Sequence, residues 1–179
     1  MDYRAVIDFW FAETGPPRWF AKDPEFDQLI RNRFQPLHSA ATRGELWAWR
    51  AAADGRLAEI IVLDQFSRNL YRDAAAAFAQ DTVALVLAQE AISTGADRAL
   101  DTPRRAFLYM PFMHSESLVM HEWAVQLFSA PGLEHNLAYE LRHREIIRRF
   151  GRYPHRNTIL CRSSTPEELA FLTLPGSSF

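Results

Sequence analysis

Cysteine is almost absent: the 179 residues contain one, Cys161. A single thiol can neither close an intramolecular disulfide nor supply the paired ligands of a zinc finger, so a disulfide framework and a thiolate metal site both fall away. Lysine is as scarce, because Arg accounts for every basic residue except Lys22, a bias that fits genomic base composition as well as a need for forked, planar donors. Long apolar runs are missing too. No stretch approaches the roughly 18 apolar residues that cross a bilayer, and Met1-Asp2-Tyr3-Arg4, followed by Asp8, lacks the basic segment and apolar core of a leader. These absences lead to an expectation of a cytoplasmic protein in a reducing compartment, with no membrane partner. What is present is ample core material, 48% hydrophobic and 13% aromatic, which excludes disorder as the main character and suits one domain.

The formal charge of −2 hides an uneven distribution. Arg142 to Arg162 holds seven arginines against Glu145 alone, about +6, which leaves about −8 for the rest of the chain. Basic charge is therefore local.

Val/Ile/Thr-rich alternating segments bounded by hairpin dipeptides do not occur, and Gly and Pro punctuate apolar stretches of helical period. The pattern predicts an all-α chain in a single domain, 1–179. A first helix covers about Tyr3 to Glu13; Asp23-Pro24 opens a second, which Pro36 should kink or end. Glu45 to Ala53, Arg56 to Tyr71, Phe78 to Thr94 and Thr102 to Met110 follow, with Pro111 expected to break the last and a new helix running on to Phe128. Asn136 to Phe150 stops at Gly151, and Thr165-Pro166-Glu167-Glu168 has the form of a capping box.

Several common chemistries are excluded by spacing. His121-Glu122 would need its second zinc ligand at Val125, so HExxH fails; His114-Ser115-Glu116 has the H-x-E of zinc deaminases without their cysteines. Neither GxGxxG, a P-loop nor GxSxG is present. No two candidate ligands among His114, Glu116, His143, His155 and Asp64 have one-helix metal spacing, so only the fold could assemble a metal site from them; the expectation is no metal and no cofactor.

Three polar constellations remain. Asp64, Arg68 and Arg72 fall at i, i+4, i+8 with Gln65 and Asn69 beside them, directly after a run that is apolar nearly all round. On a solvated face this is an ordinary ion-pair ladder; on an enclosed helix the charges must be paired or line a cavity. His114 and Glu116 follow Pro111 near an expected helix start, where Ser115 or Glu116 caps or an anion binds. Third, Tyr139, His143, Ile146, Ile147 and Phe150 share a face that turns His143 inward, after which Gly151 and Pro154 rigidify a loop carrying Arg152, His155, Arg156 and Asn157. An arginine run is ordinarily a solvated face; this one interleaves Gly and Pro with His, Arg and Asn.

Taken together, Leu63-Asp64-Gln65-Phe66 with Arg68, Asn69 and Arg72, then Pro111-Phe112 with His114-Ser115-Glu116, then His143 and Arg149-Phe150-Gly151-Arg152 with Pro154-His155-Arg156-Asn157 and Arg162, resemble the motifs of a bacterial all-helical family classed as a domain of unknown function. The resemblance covers nearly the whole chain. It implies a fold similar to tetratricopeptide-like (TPR-like) helical-hairpin arrays and no established reaction. The chain departs from the family at Ser67, where Pro is usual, at Cys161, where Gly is usual, and at His121, which stands at a family Gln. His121 is thereby demoted as a ligand or acid–base group, and Cys161 reads as an inert buried thiol.

Two functional expectations follow. In the first, the three motifs form one cleft for a small anionic molecule, a phosphate ester or carboxylate: Arg68, Arg152, Arg156 and Arg162 bind it together with Asn157, while Asp64 and Asn69 hold the guanidinium groups, and His114, Glu116 or His155 moves a proton if chemistry occurs. In the second, the chain holds a protein or peptide partner, the motifs are structural ion-pair networks, and Phe150 and Tyr153 are anchors. Acidity outside the arginine run argues against nucleic acid as a partner.

Overall fold

A computed structural model describes residues 1–178. Its regular elements are helices: α1 (Arg4–Ile7), α2 (Pro16–Trp19), α3 (Pro24–Thr42), α4 (Ala53–Leu70), α5 (Asp81–Ser93), α6 (Thr102–Met113), α7 (Leu118–Phe128), α8 (Glu134–Phe150) and α9 (Pro166–Leu172), with short 3-10 turns at Trp47–Ala51, Ala75–Ala77, Ala96–Ala99 and Pro154–Arg156. The chain is all-α. By contact it divides into two compact units, unit 1 comprising 1–72 with 76–111, and unit 2 comprising 73–75 with the residues from Phe112 onward.

Unit 1 is organised around α4, which packs against α1, α3 and α5. Leu57 to Ser67 is buried without interruption, as the all-round apolar pattern predicts. Gly55 permits the close entry of this helix: a Cβ there would stand 2.0 Å from the Trp49 carbonyl oxygen. The core is aromatic, with Phe9 tilted on Phe34 at 4.8 Å and Trp19 edge-on to Phe107 at 4.7 Å between centroids. α1 continues as a π-helical stretch, Asp8–Thr14, closed by the bond from Gly15 N–H to the Trp10 carbonyl. Asp23 caps α3 through its side chain, as expected. Pro36 does not end that helix. Both Pro36 and Asn32, whose carbonyl would have been its partner, are exposed, so water can replace the lost bond.

In unit 2, α7 packs on α8, and α9 lies against the Pro154–Arg156 turn. Ile146, Ile147 and Tyr153 form one core cluster of this unit, with Phe150 and Phe171 against it. Gly151 ends α8 in the left-handed region at φ +68°, and Thr165 with Glu168 completes the capping box in both directions. α6 passes through Pro111 to Met113, and the break falls at 114–117 instead. The reason lies in acceptors met from outside the helix: Tyr153 Oη donates to the Met113 carbonyl at 2.5 Å and His121 Nε2 lies 2.8 Å from the Ser115 carbonyl.

Candidate functional site

The first constellation is embedded in unit 1. Arg68 lies 3.0 Å from the buried Asp64 carboxylate and reaches both oxygens of Asp81 at 3.0 and 3.1 Å. Gln65 Nε2 donates to Asp64 Oδ2 at 2.5 Å. The i, i+8 member leaves the expected ladder: Arg72 forks onto Asp27 of α3 at 2.6 and 2.7 Å, and Asn69 donates to the same carboxylate at 2.8 Å. Asn69 thus holds an acid rather than a guanidinium. Beside it, His38 Nε2 and Ser67 Oγ are 2.8 Å apart, yet Ser67 gives its hydrogen to the Leu63 carbonyl at 2.6 Å. With Ser67 wholly buried and that hydrogen committed, His38 must be the donor in the pair, which is no nucleophile–base dyad.

The second and third constellations meet in unit 2. Arg162 forks onto Glu116 at 2.6 and 2.9 Å, donates to the Tyr153 carbonyl at 3.2 Å and to Asn157 Oδ1 at 3.1 Å. Glu116 also accepts from the Tyr153 N–H at 2.8 Å. Burial alone would raise the Glu116 pKa, but the Arg162 guanidinium and this N–H hold it below the usual carboxylate range. Glu116 therefore serves as a fixed anion. Asn157, fully buried, is tied to Ser164 Oγ at 3.0 Å. Arg152 forks onto Glu168 at 2.6 and 2.8 Å, and that pair, with the Thr165 N–H, brings the Glu168 carboxyl down to about 2.

Tyr153 sits at the centre of this network. It is extended ahead of Pro154, as expected, and buried, so it is not an exposed anchor. Its ring is edge-on to His121 and His143 and tilted on His155, at 6.2, 5.8 and 5.6 Å, while the Arg156 guanidinium lies over it at 4.7 Å. Arg156 is only 7% exposed. His143 points inward, as its helical face predicts, and its Nδ1–H donates to the Tyr139 carbonyl, 2.8 Å away. Burial, with His114, His121 and His155 nearby, pushes its pKa down to about 3, leaving it neutral. Four imidazoles and a buried guanidinium thus share one neighbourhood, His114 and His155 being its half-buried members.

One reading of the sequence is overturned by the structure, and one residue that it set aside acquires partners. Cys161 is exposed, at φ +54°, where glycine is the comfortable residue, so it is not a buried thiol. His121, set aside because the related family carries Gln there, is wholly buried and bonded at both ring nitrogens, to Glu140 Oε1 at 2.7 Å and to the Ser115 carbonyl. Nothing local signals this pair, since Glu140 lies on another helix, 19 residues away. Asp81 and Asp27, the partners of Arg68 and Arg72, were equally silent. Glu168 was legible only as a cap. No helix among the described residues is long and apolar enough to cross a membrane.

A comparison with curated proteins finds no match. Among solved structures, a protein of unknown function from Agrobacterium tumefaciens, ATU0120, superposes with a TM-score of 0.91 at 42% identity, covering 95% of this chain and 96% of that one. Residues 6–176 match the family model described as bacterial protein of unknown function, DUF924. An all-helical chain whose motifs knit His114–Glu116 to Arg149–Arg162, matched over nearly its full length, belongs to that bacterial family.

Proposed function

We propose that unit 2 binds a small molecule carrying a carboxylate or phosphate group, with Arg156 and His155 as its principal contacts and His114 as the adjacent group able to move a proton. The observation that carries this is the gathering of a buried guanidinium and several imidazoles around Tyr153, an environment suited to an anion because desolvated cations bind strongly. Arg152, Arg162 and Asn157 act as its frame: each is committed to Glu168, Glu116 or Ser164 and fixes the loop that presents His155 and Arg156. In unit 1, Arg68 is committed to Asp64 and Asp81 in the same structural sense. Titration of inorganic phosphate and a panel of small carboxylates into the full chain tests the reading. At least one should bind in the low micromolar range or tighter, and Arg156→Lys, which keeps the charge and loses the fork, should weaken it tenfold or more with the thermal midpoint little changed. Binding no tighter than high micromolar across the panel sinks it.

A second reading has its own observation. Val119 and Trp123, one turn apart on α7, are 63% and 54% exposed, an apolar pair that a protein partner of a TPR-like hairpin array could cover. Loss of a co-purifying partner in Trp123→Ser, with anion binding intact, would favour it.

A further inference from the structure

The His121–Glu140 pair poses a proton-counting problem that its geometry solves. His121 Nε2 faces two oxygens, the Ser115 carbonyl at 2.8 Å and Tyr153 Oη at 3.3 Å. A carbonyl has no hydrogen to give, and Tyr153 sends its own to the Met113 carbonyl, so Nε2 carries the hydrogen. The other nitrogen, Nδ1, lies 2.7 Å from Glu140 Oε1. Were His121 neutral and Glu140 ionised, a ring lone pair would face a carboxylate at that distance in a site where both side chains have no exposure. A second proton must therefore lie between them, on nitrogen or on oxygen. The remaining oxygen, Glu140 Oε2, is buried and has no hydrogen-bond partner, which further disfavours an isolated carboxylate there.

We propose that His121 and Glu140 form a proton-held clamp on the 114–117 turn: the buried pair keeps a proton that the separated side chains surrender above neutral pH, and its loss sets the Nδ1 lone pair against the Glu140 carboxylate, which displaces the ring and weakens the bond from Nε2–H to the Ser115 carbonyl. The clamp is independent of any ligand and of the binding function proposed above. Charged and titratable groups surround the clamp from several elements. From α7 comes Glu122, from α8 Arg144 and His143, from the turn His114 and Glu116, and from the segment leading into the 3-10 turn Tyr153 and His155. Arg144 favours the ionised form of Glu140 and Glu122 opposes it, but these two are themselves paired at 3.4 Å. Burial is the largest influence and raises the Glu140 pKa, against the lowering that His121 itself brings.

The sign follows from linkage. Above about pH 6.5 a free imidazole and a free carboxylate hold one exchangeable proton between them, whereas the folded pair holds two. Stability from this source is therefore complete below that pH and declines as pH rises, by about tenfold in the folding constant per pH unit for each extra proton bound. Urea unfolding of the full chain between pH 7 and 9 reads it, with Glu140→Gln as the comparison, because the Gln amide donates to Nδ1 without titrating. The folding constant of the wild type should fall about tenfold more per unit than that of the variant; equal slopes overturn the clamp. Should Glu140→Gln not fold, nitrogen and carboxyl NMR shifts of His121 and Glu140 in the wild type at pH 7.5 decide the matter. Two protons on the pair, with the Ser115 and Glu116 amide signals moving as one of them titrates at higher pH, support the proposal. A neutral imidazole beside an ionised carboxylate at pH 7.5, or amides unmoved by that titration, defeats it.

Discussion

The arginine run has two halves that look alike in sequence and behave differently in the molecule. Before Gly151, Arg148 pairs with Glu145 one turn away while 64% of its side chain stays exposed, Arg144 reaches Glu122 at 3.4 Å, and Arg149 forks onto the exposed Glu167. After Gly151, Arg162 is 24% exposed and binds Glu116, Asn157 and Tyr153 together, and Arg156 is buried over an aromatic ring. The difference is backbone geometry. On a regular helix successive arginines fan outward into water, where an ion pair contributes little. The left-handed residue at Gly151 and the extended Tyr153 fold the chain back, so that the same side chains point into carbonyls and carboxylates.

The contrast can be broken at either end. The largest effect belongs to Glu116→Ala, which strands Arg162 in a partly enclosed site and should cost about 2–3 kcal/mol of stability in urea unfolding; a loss below about 0.5 kcal/mol would place Arg162 with the surface arginines. Arg152 comes next and is read through acid pH. Because Arg152 depresses Glu168 to about 2 from an unfolded value near 4.5, that stabilisation is present above about pH 4.5 and disappears as pH falls through about 2. Arg152→Ala should therefore flatten the acid limb of the stability profile between those values. At the small end, Arg148→Ala should leave the thermal midpoint where it is, and a clear drop would erase the distinction between the halves.

Much of the scaffold was legible in the sequence because local chemistry decides it. Asp23, Gly151 and the Thr165–Glu168 box each mark a helix end through a bond or a φ that only nearby residues control. Pro36 and Pro111 misled for the complementary reason. One missing N–H is outweighed by the packing of a long helix, and the end of α6 is set by Tyr153 and His121, distant in the chain. Of the candidate site, Glu116 joins Arg162 and Tyr153, which brings together two of the three motifs expected to converge. The pairs that anchor it, His121 with Glu140 and Arg152 with Glu168, required helix packing to become visible, since no periodicity relates residues on separate helices.

Cys161 offers a practical return on this geometry. It is the chain's single thiol, it is exposed, and it stands next to Arg162 on the loop that carries Asn157. A thiol-reactive fluorophore would attach there and nowhere else, without any substitution, on a turn whose backbone is held by the bond from Arg162 N–H to the Asn157 carbonyl at 2.8 Å. The molecule thus comes with a built-in attachment point for an optical reporter beside the Glu116–Arg162–Tyr153 network.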